Sequence, residues 1–143
     1  MEDLHELLRS ATRPLTITTN GNSMLPTIAP GALLTVLPFS SDKDLIRSQD
    51  LIVFNNGSQL ICHRVLGIFR VGRHVYYYEK GDANRLGWIV SESKLIGKVA
   101  AIDGQAVRIH SNPSERSTSH IKIFCEILLT KLKNFSRLGS NPK

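Results

Sequence analysis

Leu51-Ile52-Val53-Phe54-Asn55-Asn56-Gly57-Ser58-Gln59-Leu60-Ile61-Cys62-His63-Arg64-Val65 is the stretch on which the fold turns. Two apolar runs flank Asn56-Gly57, and an asparagine followed by glycine is a strong signal for a tight β-hairpin because both tolerate positive φ. The second run carries His63 inside an otherwise strand-like pattern.

Working outward, the same β-branched, alternating texture recurs in short pieces. Strands are expected over 15–19, 32–37, 51–54, 59–69, 74–79, 94–102 and 106–110. Turn formers separate them: Asn20-Gly21, Pro30-Gly31, Val71-Gly72-Arg73, Gly81-Asp82-Ala83-Asn84 and a second hairpin signal, Asp103-Gly104. Many short, closely spaced strands predict a mainly β fold, an antiparallel sandwich or partly open barrel rather than a parallel α/β sheet. Residues 1–13 place Leu4, Leu7 and Leu8 at helical spacing ahead of Pro14 and predict a short amphipathic helix. The β domain with this helix should span 1–110, followed by a polar linker over 111–119 containing Pro113. Residues 120–138 then carry Ile121, Phe124, Cys125, Leu128, Leu132 and Phe135 at helical spacing, with Lys122, Lys131, Lys133 and Arg137 around the wheel. A C-terminal amphipathic helix is expected there, with a tail over 139–143.

The chain has 143 residues, 41% hydrophobic and 21% charged, which is enough for one ordinary core and is globular composition. Its net charge is +6, but the basic residues are scattered except near the C-terminus, so no stripe for nucleic acid is expected. Cys62 and Cys125 fit neither a disulfide framework nor a metal site and read as packed thiols in a reducing compartment. His5, His74, His110 and His120 lack metal-like spacing, and no cofactor or metal is expected. No apolar run reaches the roughly 18 to 20 residues of a membrane span, and the N-terminus lacks a basic signal start. A cytoplasmic location follows as the expectation. The basic C-terminal helix would pack on its own β domain, lie on anionic lipid at the inner membrane face, or dock on a protein partner.

The chemistry concentrates in Gly21-Asn22-Ser23-Met24-Leu25-Pro26-Thr27. Gly21 and Asn22 let the backbone turn before Ser23, and Pro26 disfavours helix at Leu25, so the turn can present the hydroxyl outward. A serine hydroxyl becomes a useful nucleophile only with a base, a group that supports the base, and donors for the oxyanion. His63 is the candidate base, and Asp82 in Lys80-Gly81-Asp82-Ala83-Asn84 is the candidate acidic partner; their order in the chain is free when the geometry is met.

Four segments in order, Ser23-Met24-Leu25-Pro26-Thr27, Gln49-Asp50-Leu51-Ile52-Val53-Phe54, His63-Arg64-Val65 and Lys80-Gly81-Asp82-Ala83-Asn84, resemble the boxes of type I signal peptidases. The similarity runs from Gly21 to Val99 and is closest to the subtype with a histidine base, found in the endoplasmic reticulum, archaea and some spore formers. It implies the signal-peptidase β fold, Ser23 as nucleophile, His63 as general base and the Ser23 backbone N–H as oxyanion donor. Gly21 stands where some lysine-type members have a second hydroxyl donor. The histidine subtype usually follows its Gly-Asp-x-Asn with another aspartate, but residues 85–90 contain none. That leaves Asp82 to act alone, with Glu92 as a stand-in. The family's transmembrane anchor has no counterpart in this sequence.

The expected activity is therefore that of a serine endopeptidase cutting a leader or precursor peptide after small residues, the peptide binding as an extended strand. Two alternatives remain open at this point. One is a peptide-binding module of the same fold with a retired site; the other is a relative of the self-cleaving repressor and mutagenesis proteins. Those cut an Ala-Gly or Cys-Gly bond near their own N-terminus, and neither pair precedes Ser23.

Overall fold

The computed structural model describes residues 2–39 and 46–107. The linker, C-terminal helix and tail expected after residue 110 lie outside the described residues, as does Cys125.

The chain opens with helix α1 (Glu2–Arg9) and continues through β1 (Leu15–Thr18), β2 (Leu33–Pro38), β3 (Leu51–Asn55), β4 (Leu60–Val71), β5 (His74–Lys80) and β6 (Trp88–Ser91). A single 3₁₀ turn, Glu92–Lys94, leads into β7 (Leu95–Ile102) and the short β8 (Gln105–Ala106). The strands form one open sheet in the order β1-β2-β7-β3-β4-β5-β6, with β8 beside β7. Every pairing is antiparallel. The mainly antiparallel β fold with a short N-terminal helix is thus as expected, and its strands run in one open sheet.

The reason lies in the central strands. In β3 alternate side chains point to opposite faces, and both faces are buried. Leu51 and Val53 join a core with Met24, Ile28, Leu34, Val36, Ile96 and Val99. Ile52 and Phe54 join a second core with Phe39, Ile46, Val65, Val75, Tyr77, Val90 and Leu95. A strand that is apolar on both faces needs cover on both sides, so a single sheet through the middle of two cores accommodates the sequence. Each fully buried aliphatic side chain contributes about 1.5–3 kcal/mol of burial free energy.

Turn chemistry fixes the hairpins. Asp103 (φ 49°) and Gly104 (φ 77°) both occupy the left-handed region, as a two-residue primed turn requires, and set Ile102 opposite Gln105. At the β3–β4 hairpin Gly57 takes φ 100°, and Asn56 accepts through its side chain from the Ser58 and Gln59 N–H groups.

Two elements differ from the sequence reading. Rather than near residue 13, the helix ends at Arg9, where the Ser10 hydroxyl donates to Leu7 O at 3.2 Å and competes with a further helical turn. Of its leucines only Leu8 packs on a core, while Leu4 and Leu7 are exposed. Trp88–Ser91, outside the expected strands, forms β6 against β5, pairing Tyr77 with Val90 and Tyr78 with Ile89. Among the described residues no helix is long and apolar enough to cross a membrane.

Candidate functional site

Ser23 lies in the turn-rich connection between β1 and β2. The two side chains that follow it at helical spacing, Met24 and Ile28, are 4% and 1% exposed and plug the connection into the first core. Backbone bonds from Leu25 N to Asn22 O (3.2 Å) and from Ile28 N to Met24 O (2.9 Å) tighten the turn. Apolar anchors on one side thus leave the serine on the other, facing β4.

His63 lies on β4 opposite Ile52 of β3. It projects from the same face as Ile61 and Val65, into the second core, with the Phe54 ring edge-on at 6.1 Å. Its Nε2 is 3.0 Å from Ser23 Oγ. Its Nδ1 hydrogen-bonds Glu79 Oε2. The register of β4 and β5 explains that contact: Glu79 sits opposite Val65, so it is the diagonal, same-face neighbour of His63. His63 and Glu79 are 7% and 2% exposed. An ionised carboxylate only accepts, so Nδ1 carries the proton of the neutral ring and the Nε2 lone pair faces the serine hydroxyl.

Ser23 and His63, expected together, are together. Asp82, expected at His63, is not. Arg64 projects from the opposite face of β4 and grips Asp82 with two bonds, Nε to Oδ1 at 2.9 Å and Nη2 to Oδ2 at 2.7 Å. The Thr27 hydroxyl also donates to Asp82 Oδ2. Burial works against ionisation of Asp82, but the hydrogen bonds from Arg64 and Thr27 and the charges of Arg64 and Lys80 outweigh it, holding the carboxyl below its ordinary range. Asp82 therefore braces the Ser23 turn, through Thr27, against β4. Glu92, the stand-in, accepts from the Tyr77 hydroxyl at 3.1 Å instead.

The rest of the Lys80–Asn84 segment serves the same brace. Ala83 N donates to Ser23 O at 2.8 Å, and Lys80 Nζ donates to Asn84 O at 2.9 Å. Gly81 is buried against the turn: a Cβ there would fall 2.6 Å from Ser23 O and 2.9 Å from Ser23 Cβ. Only glycine permits this approach.

Glu79 is the residue that sequence reading missed. A signal was present: Val75, Tyr77 and Glu79 alternate on one face of β5, and a carboxylate at an inward position of a half-apolar strand requires a buried partner.

Ser23, His63 and Gly21 line a cleft of about 530 Å³, walled by Ile17 and Thr18 of β1 and by Leu60 and Cys62 of β4. Both walls are strand edges without a partner among the described residues. β1 pairs with β2 alone, and β4 takes up β5 only from Arg64 onward. Burial pushes the Cys62 thiol up to about 12, which keeps it protonated and unreactive at neutral pH. Among the described residues no group of His, Cys, Asp and Glu could hold a metal ion.

No protein-family model matches the chain, and no curated protein matches it. The resemblance to signal peptidases is carried by the four quoted segments alone.

Proposed function

We propose that the protein is a serine endopeptidase of the signal-peptidase type, built on that family's β fold, with Ser23 as nucleophile, His63 as general base and Glu79 as the group that orients His63. The observation that carries the reading is the continuous chain from Ser23 Oγ through both ring nitrogens of His63 to the buried Glu79 carboxylate. This is the polarity serine catalysis needs. His63 Nε2 takes the hydroxyl proton as Ser23 Oγ bonds to the peptide carbonyl carbon, and Glu79 stabilises the imidazolium that results. The proton then passes to the departing amine, and water, deprotonated by the same nitrogen, releases the acyl group.

The cleft supports an extended peptide as substrate. A strand laid between the unpaired edges of β1 and the start of β4 would hydrogen-bond on both sides and bring its carbonyls past Ser23. By resemblance the cut would follow small residues such as alanine, in a leader or precursor peptide.

The test is acylation. Purified protein should release p-nitrophenol from N-acetyl-alanine p-nitrophenyl ester with a stoichiometric burst and cut peptides after alanine, and Ser23→Ala should abolish both. Equal rates for the wild-type protein and Ser23→Ala would defeat the proposal and leave a peptide-binding module.

A further inference from the structure

Oxyanion stabilisation usually takes two donors, and the Ser23 N–H supplies one. That N–H donates to no other backbone group among the described residues, so it is available to a substrate oxygen. Gly21, which lines the same cleft, has no side chain to offer as the second.

We propose that the side-chain amide of Asn84 is the second oxyanion donor; the inference rests on the peptidase reading above and deepens it. Three observations converge on Asn84. It lines the cleft with Ser23 and His63. Its Nδ2 and the Ser23 Cβ lie 2.8 Å and 2.9 Å from one point, the place where a Cβ on Gly81 would fall, so their separation cannot exceed the sum of those distances. The amide nitrogen thus stands beside the carbon that carries the nucleophile, on ground that Gly81 keeps clear.

Its side chain is also unspent. Asn84 uses its backbone carbonyl for Lys80 Nζ and its backbone N–H for Gly81 O at 2.9 Å, while its amide makes no hydrogen bond to the protein among the described residues. Asn84 is half-buried, so this amide is open to the cleft rather than sealed in the core. A polar group held by its backbone on both sides, with its side-chain donor unpaired beside the cleft, is preorganised for charge that appears only during reaction. In the reaction Ser23 Oγ bonds to the acyl carbon and its proton goes to His63 Nε2. The carbonyl π pair moves to oxygen, where Ser23 N–H and Asn84 Nδ2–H meet it. Collapse of the tetrahedral adduct returns that pair and expels the amine or nitrophenolate.

The experiment measures the acylation burst with N-acetyl-alanine p-nitrophenyl ester in the full chain, for the wild-type protein, Asn84→Ala, Asn84→Asp and the double variant Gly21→Ser/Asn84→Ala. Loss of one such donor typically lowers the rate constant by about 10²- to 10³-fold. Losses of that order are expected in Asn84→Ala and Asn84→Asp, with KM and the thermal unfolding midpoint unchanged. Gly21→Ser should recover part of the rate, since a Cβ at Gly21 meets nothing within 4 Å and its hydroxyl would enter the same cleft. An Asn84→Ala rate within about threefold of the Ser23-dependent wild-type rate overturns the role of Asn84 and leaves the peptidase reading standing. So does a loss that tracks a lowered unfolding midpoint or that Gly21→Ser leaves untouched. A wild-type protein without a Ser23-dependent burst overturns both.

Discussion

Glu79 and Asp82 are two carboxylates three residues apart, and they have opposite surroundings. Glu79, at the end of β5, is 2% exposed and bonded to His63; Asp82, in the loop that follows, is partly exposed and bonded to Arg64 and Thr27. Their partners are neighbours in sequence on β4, where successive side chains point to opposite faces. The β4–β5 pair therefore sorts two acid–base contacts onto its two faces, the proposed chemical one on one side and an architectural one on the other. Proximity of an aspartate to a candidate nucleophile and base says little about which face it serves.

The largest effect should come from breaking the chemical side. Glu79→Gln removes the charge that supports the imidazolium and frees Nδ1 from its fixed tautomer. By analogy with the buried aspartate of serine proteases, the acylation rate should fall by about 10³- to 10⁴-fold. A pre-steady-state burst measurement decides it, and a loss of less than tenfold would mean that Glu79 does not orient His63.

Breaking the architectural side should cost stability first. Asp82→Ala and Arg64→Ala should each destabilise by about 1–2 kcal/mol, discounted for the partial exposure of the pair, and the double variant by less than the sum. Denaturant unfolding of the four proteins yields the coupling energy, which should register a favourable Arg64–Asp82 interaction, with acylation slowed far less than in Glu79→Gln. A coupling near zero would remove the brace from the account.

The smallest effect is on pH dependence. The Asp82 carboxyl is held below its ordinary value of 3.8 in the folded chain, so the unfolded chain binds its proton first as pH falls. Its contribution to stability is thus fully present above that value and lost as pH drops through the folded value. Stability curves of the wild-type protein and Asp82→Asn should run parallel above about pH 5 and converge below about pH 4. Parallel curves throughout would show that the ion pair does not shift the carboxyl.

Much of this was legible in the residues. Ser23 and His63 stood out because a constrained turn and a polar group in an apolar strand are local signals. The Asp103-Gly104 hairpin was fixed by its two positive-φ residues alone. The acidic partner was misread because Gly-Asp-x-Asn is conspicuous as a motif, whereas Glu79 looked like an ordinary strand end. The Trp88–Ser91 strand was missed because only its pairing with the tyrosines of β5 makes it a strand.

The sequence by itself determined that His63 and Arg64 would face apart, since a strand has period two and the apolar run around them is a strand. It also determined that β3 would be buried on both faces, from four consecutive apolar residues. Only the tertiary structure decided which carboxylate each would meet. That depends on the register of β4 against β5, with Arg64 opposite Lys80 and Val65 opposite Glu79, and on how the Ser23 turn seats against Gly81. A one-residue slip would exchange the faces, and nothing local to Glu79 or Asp82 records which register the two cores select.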